Sequence, residues 1–140
     1  MDVIKVMELN VQCDEPLEIG ETPKGFLRVI PIVGGTFQGT SIQGTIIPGG
    51  ADWNTLLKDG TTEVWARYTM ETNDGTLISI TNEGVHGNGK DEPIWTRPSF
   101  LAPVGPYAWL NEVTLIGMLE PQPLDEGIAV TIHLFRLKDN

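Results

Sequence analysis

The chain is poor in the residues that most often announce a function. It has one cysteine, Cys13, in 140 residues. It therefore closes no internal disulfide and offers no thiol pair at metal-ligand spacing. Its two histidines, His86 and His133, stand apart, with no His-x-His and no Glu-x-x-His, so the sequence supports no metal site. Cations are scarce: nine Lys and Arg against 19 Asp and Glu leave a net charge of −10. That balance disfavours nucleic acid and anionic membrane surfaces, and neither is an expected partner. No apolar run approaches the ~20 residues that span a bilayer. No basic segment followed by an apolar core opens the chain, so a cytoplasmic location is the expectation. There is no Gly-x-Ser-x-Gly elbow of the serine hydrolases. The glycine-rich stretch at 84–90 lacks the lysine pattern and following helix of a phosphate cradle, and is read as a surface loop or a lid over a barrel mouth.

Glycine and proline are plentiful, with 16 and 10 residues. They punctuate segments whose apolar residues recur at every second position. Val3, Met7, Leu9, Val11 and Cys13 share one parity, and polar residues dominate the other, the pattern of a half-buried strand. Further strands are expected at 26–33, 36–47, 64–72, 77–82, 94–101, 110–119 and 128–137. Gly39 and Gly44 interrupt the second of these as bends. Asn73-Asp74-Gly75 joins two strands as a tight hairpin, because Asp-Gly supplies the positive φ that such turns need. The only helical signal is one turn over 52–57, with Asp52 as its N-cap. Many strands, short connections and no long helix indicate an all-β fold: a single antiparallel domain over 1–140, a sandwich or an up-and-down β-barrel of about eight strands. An eight-stranded barrel has room for its own side chains or one small ligand.

The candidate chemistry begins at Pro48-Gly49-Gly50-Ala51-Asp52-Trp53, where an acid and an indole follow a double glycine. In an apolar pocket Asp52 would have a raised pKa and serve as a general acid or base; otherwise it caps a turn. Arg67, in Ala66-Arg67-Tyr68, offers a planar fork to a carboxylate, enolate or phosphate, or forms a structural salt bridge with Asp52. Asp52 and Arg67 form the candidate catalytic pair. Arg28 shares its parity with Phe26, Ile30 and Ile32, so it must pair, reach solvent or bind a ligand. Arg97 in Trp95-Thr96-Arg97-Pro98, and Trp109-Leu110-Asn111, add a third strand arginine, indoles and an amide. With Trp53, Tyr68 and Asn82 these complete the candidate ligand-binding set: Arg28, Trp53, Tyr68, Asn82, Arg97, Trp109 and Asn111. Cys13 reads as a core thiol.

The motifs taken together resemble the domain-of-unknown-function 3237 family, the UPF0311-like small β-barrel proteins. The resemblance runs through Gly25-Phe26-Leu27-Arg28, residues 31–37, residues 48–53, Asp59-Gly60, Ala66-Arg67-Tyr68, Asn73-Asp74-Gly75, Asn82-Glu83-Gly84, residues 96–100 and Trp109-Leu110-Asn111. It implies a calycin-like up-and-down barrel and a homodimer. It also implies no cofactor, and in some members isomerase or cyclase activity on polyketide-like substrates. Trp65 stands where the family commonly carries Asp, and Glu83 where it carries Arg.

Two classes of function follow. One is a cofactor-independent isomerase or cyclase, with Asp52 moving a proton, Arg67 holding an enolate or carboxylate, and Trp53 and Trp109 as walls. The other is a barrel without chemistry, either a carrier of a small organic molecule or a structural protein with a filled interior.

Overall fold

The computed structural model describes residues 2–87, 93–123 and 128–138. Nine strands follow one another: β1 (Val3–Cys13), β2 (Leu17–Thr22), β3 (Gly25–Gly39), β4 (Gln43–Leu57), β5 (Thr62–Thr72), β6 (Leu77–His86), β7 (Ile94–Leu101), β8 (Leu115–Pro123) and β9 (Ile128–Leu137). Each pairs antiparallel with the next from β2 to β9, and β1 pairs with both β9 and β3. That double pairing closes an eight-stranded barrel. β2 lies beyond it, on the first half of β3. Joining β1 to β3 removes the two long open edges a flat sheet of these strands would carry; the outer edge of the short β2 remains. Among the described residues no helix is long and apolar enough to cross a membrane.

The expected fold class therefore holds, and several boundaries move. Residues 36–47 are not one strand. β3 ends at Gly39, and a turn closed by the Gly39 N–H donating to the Ile42 carbonyl at 2.6 Å starts β4. Residues 52–57 are not a helical turn. They continue β4, because β3 pairs with them from Gly25↔Leu57 to Ile30↔Asp52, and that ladder overrides the local cap signal. Residues 110–119 divide into a 3-10 helix, Ala108–Asn111, and β8. β6 runs past Asn82 to His86; the remainder of the proposed lid, 88–90, lies outside the described residues. The Asn73-Asp74-Gly75 hairpin forms as expected, with Gly75 at φ 87° and the Thr72 N–H donating to the Thr76 carbonyl at 2.9 Å.

The two ends of the barrel differ. One is solid. Met7, Leu9, Phe37, Met70, Ile78, Ile80 and Leu134 fill it, all essentially without solvent contact. The 3-10 helix covers this end with buried Leu110, and the Tyr107 hydroxyl ties the covering segment to the β5–β6 hairpin through Asp74 at 3.2 Å. Toward the other end the inward residues become smaller and include polar ones: Cys13, Asp52, Asn54, Ala66, Asn82 and Gly84. This is where the interior opens.

Candidate functional site

The double glycine of the 48–53 motif shapes the wall. β4 and β5 pair at Ile47↔Thr69 and again at Ala51↔Arg67, so Pro48, Gly49 and Gly50 form a bulge. A bulge bends a strand and re-aims the side chains beyond it. At Gly50 a Cβ would lie 2.4 Å from the Tyr68 Cβ and 2.5 Å from the Arg67 carbonyl oxygen, so only glycine lets the strands approach this closely. Beyond the bulge Asp52 sits opposite Ala66, and Ala66 opposite Asn82. Directly paired residues share a face, so these three form one inward row. Strands are about 4.8 Å apart, which places Asp52 and Asn82 roughly 10 Å apart across the small Ala66 side chain. The alanine is what leaves room between them. Tyr68 stands one layer deeper, opposite Ile80.

The resulting cavity measures about 90 Å³ and is lined by Cys13, Ile30, Ile32, Asp52, Val64, Ala66, Tyr68, Asn82 and the apolar side chains of β8 and β9. Its walls are apolar and its few polar groups converge. Tyr68 is 3% exposed and Asn82 1%. The Tyr68 Oη, the Asn82 Oδ1 and, one strand further, the Thr96 Oγ1 have no hydrogen-bond partner among the described residues. A buried polar atom left unpaired costs about 1–3 kcal/mol. Three of them at or beside one cavity are a large penalty against the roughly 5–15 kcal/mol of a typical fold.

Asp52 is held but not saturated. Its Oδ1 accepts the Trp65 N–H at 2.9 Å, and its Oδ2 receives only a long 3.4 Å contact from Asn54 Nδ2. Asn54 in turn accepts Arg28 Nη2 at 2.6 Å. Burial pushes the Asp52 carboxyl above the usual carboxylate range; the Trp65 N–H, the Asn54 amide and the Arg28 charge pull against it. Burial, with the Asp52 charge nearby, raises the Cys13 thiol to about 11. Burial raises the Tyr68 phenol too, followed by the proximity of Cys13 and Asp52. Tyr68 and Cys13 are thus neutral hydrogen-bonding groups at physiological pH.

The other expected site residues lie elsewhere. Arg67 is opposite Ala51 and faces outward. It lines an open external groove of about 620 Å³ with Trp53, Trp65, Thr69 and Ser79. There the two indoles meet edge to face, 5.7 Å between centroids. Arg97 is also external, 3.7 Å from Glu83 across the β6–β7 pair, and 75% exposed, too wet for the ion pair to contribute much. Trp109 borders a surface groove at the closed end with Ile4, Lys5 and Arg136. Asn111 grips Ala102, accepting its N–H at 2.7 Å and donating to its carbonyl at 2.9 Å, a strand-end clamp. The structure thus brings Asp52, Tyr68 and Asn82 together, with Arg28 above them through Asn54, and separates the rest. Asn54, Ala66 and the place of Cys13 are additions that the sequence motifs do not single out. Once 52–57 is a strand, parity alone aligns Asn54 with Asp52. Among the described residues no three His, Cys, Asp or Glu side chains cluster as a metal site.

A family model described as protein of unknown function (DUF3237) matches residues 1–137. The chain belongs to this family. A UPF0311 protein of Rhodopseudomonas palustris is 28% identical over 127 residues, covering 80% of this chain and 83% of its own. The crystal structure of a protein of unknown function from Clostridium acetobutylicum superposes with a TM-score of 0.87 at 25% identity, over 99% of this chain and 100% of the other. A Penicillium herquei protein described as an enzyme shares the fold, with a TM-score of 0.72 at 23% identity over 95% and 93% of the two chains.

Proposed function

We propose that this member of the DUF3237 family binds a small organic molecule inside its barrel, and that Asp52 moves a proton on it, as isomerases and cyclases do. The observation that carries the reading is the convergence of a half-buried carboxyl and two buried, unpaired polar groups, Tyr68 Oη and Asn82 Oδ1, on one apolar cavity. A fold that needed only a filled interior would place aliphatic side chains at these positions and avoid the cost of unpaired polar atoms.

The chemistry follows from the partners each group already has. Asp52 Oδ1 is committed to the Trp65 N–H, which fixes the carboxyl's orientation. Oδ2, held only by the long 3.4 Å contact from Asn54 Nδ2, is the base. It takes a proton from the carbon next to a bound carbonyl, while the neutral Tyr68 hydroxyl donates to the oxygen where charge develops. Returning the proton at a second position gives the isomer. A carboxyl whose pKa is raised toward the working pH is better matched to this task than an exposed one. Arg67, on the outer face, takes no part.

Deuterium exchange tests the reading. Small ketones and 1,3-dicarbonyl compounds are incubated with the protein in D₂O and followed by NMR. Exchange next to the carbonyl above the buffer rate, lost in Asp52→Asn and kept in Arg67→Ala, is the expected result. Equal exchange in wild type and Asp52→Asn would refute a catalytic Asp52.

A further inference from the structure

We infer that the cavity selects an uncharged ligand carrying a hydroxyl group (an alcohol, phenol or enol), seated between Asn82 and Tyr68, rather than a carboxylate or a pure hydrocarbon. The inference rests on the interior site proposed above and names its ligand class.

Three observations lead to it. The first is the state of Asn82. Its Oδ1 is an acceptor, buried in a side chain 1% exposed, and no donor among the described residues reaches it. An ether, an ester or a ketone in its keto form has only acceptor atoms and cannot satisfy it; a hydroxyl, including that of the enol which proton transfer by Asp52 produces, can donate to it. The second is Tyr68. Its hydroxyl is buried, unpaired and neutral, and can donate to the same ligand oxygen that donates to Asn82. One ligand hydroxyl therefore cancels two unpaired groups at once. The third is charge. No Lys or Arg among the described residues lines the cavity, and its one ionisable acid is Asp52. Arg28 lies a layer nearer the mouth and is engaged with Asn54. A ligand carboxylate lowered to Asn82 would be a second anion beside Asp52 in an apolar enclosure without a lining cation, among the least favourable placements a protein interior offers. Arg67, the arginine that offers a fork to a carboxylate in the sequence, does not line this floor, and neither do Arg28 and Arg97.

Size bounds the ligand as well. An engineered cavity of ~150 Å³ accepts benzene, so about 90 Å³ encloses the hydroxyl end of a molecule and part of a ring, with the rest directed toward the open end.

The test uses phenol, anisole, toluene and benzoate as probes, with binding to the whole protein read by ligand-observed NMR and by the shift in melting temperature. In wild type, phenol is expected to bind about tenfold or more tightly than anisole or toluene, the worth of one buried hydrogen bond, and benzoate weakest of all. In Asn82→Leu the phenol preference over toluene disappears. Tyr68→Phe, which keeps the ring, reduces the same preference and serves if the leucine variant does not fold. Toluene, anisole or benzoate binding as well as phenol would overturn the inference and leave the interior site standing. Binding of no probe by the wild-type protein would overturn both.

Discussion

Asp52 and Arg67 occupy neighbouring strands one register step apart and face opposite sides of the barrel wall. Asp52 pairs with Ala66 and points inward; Arg67 pairs with Ala51 and points outward. The acid and the cation thus belong to different environments. One is a small apolar enclosure where burial raises a carboxyl. The other is a wide external groove with two indoles.

The first consequence concerns stability and pH. The folded state holds the Asp52 proton more tightly than the unfolded chain, whose carboxyl titrates near 3.8. Its contribution to stability is present below that value and is lost as pH rises through the folded pKa. Asp52→Asn keeps an oxygen for the Trp65 N–H and never charges. The variant is expected to match or exceed wild-type stability at pH 8, by about 1.4 kcal/mol for each tenfold difference in acid strength between the unfolded and folded carboxyl, with the gain shrinking at pH 4. Urea denaturation of both proteins at the two pH values checks this. A variant whose stability relative to wild type is lower at pH 8 than at pH 4 would show that the charged form is the stabilised one.

Asn54 and Arg28 tune that carboxyl. Both pull its pKa down, the amide through the 3.4 Å contact and the guanidinium through its charge. Arg28→Met, which keeps the length of the stem, is expected to raise the Asp52 pKa above its wild-type value, measured by carbon-detected NMR titration. The Asp52 charge in turn helps to raise the neighbouring Cys13 and Tyr68. The Cys13 thiol, raised to about 11, and the still higher Tyr68 phenol place their own titrations well above that range. An unchanged midpoint would remove Arg28 from the site.

Cys13 reports on the cavity from inside. With a thiol raised to about 11, its thiolate fraction at pH 7 is on the order of one part in 10⁴. The native protein is expected to resist iodoacetamide at pH 7 for hours and to react once unfolded in urea. Rapid alkylation of the folded protein would mean that the thiol is neither buried nor protonated.

Gly50 tests the role of the double-glycine motif. Its missing Cβ would meet the Tyr68 Cβ and the Arg67 backbone, neither of which yields easily. Gly50→Ala is expected to cost about 1–3 kcal/mol by overpacking, read as a lower urea midpoint with the slope unchanged. A neutral effect would argue against the close strand contact.

Much of this was legible in the sequence. The alternation of β1, with the Asn73-Asp74-Gly75 turn and the many short segments, is enough for an antiparallel all-β fold, and the family resemblance chooses the barrel over the sandwich. Strand alternation puts the adjacent Arg67 and Tyr68 on opposite faces. The bulge at Pro48–Gly50 was not legible. A proline and two glycines ahead of an aspartate look like a loop and a helix cap, and only the pairing of 52–57 with β3 turns them into a continuing strand. With that strand hidden, the inward position of Asp52 could not be assigned, and an arginine nearby in sequence was paired with it. The Asn111 clamp and the outward Arg97 likewise depend on partners distant in sequence, Ala102 and Glu83.

A function residing inside the barrel, between Asp52, Ala66 and Asn82, is separable from one on the outer groove by single substitutions. The decisive measurement is a fragment screen of small neutral hydroxylated ring compounds, run by ligand-observed NMR against wild type, Ala66→Leu and Arg67→Ala. Leucine at 66 fills the space between Asp52 and Asn82 without touching the outer face. Fragments are expected to bind wild type and Arg67→Ala alike and to be lost from Ala66→Leu. Fragments that persist in Ala66→Leu and vanish in Arg67→Ala would contradict an interior site and move it to the external groove.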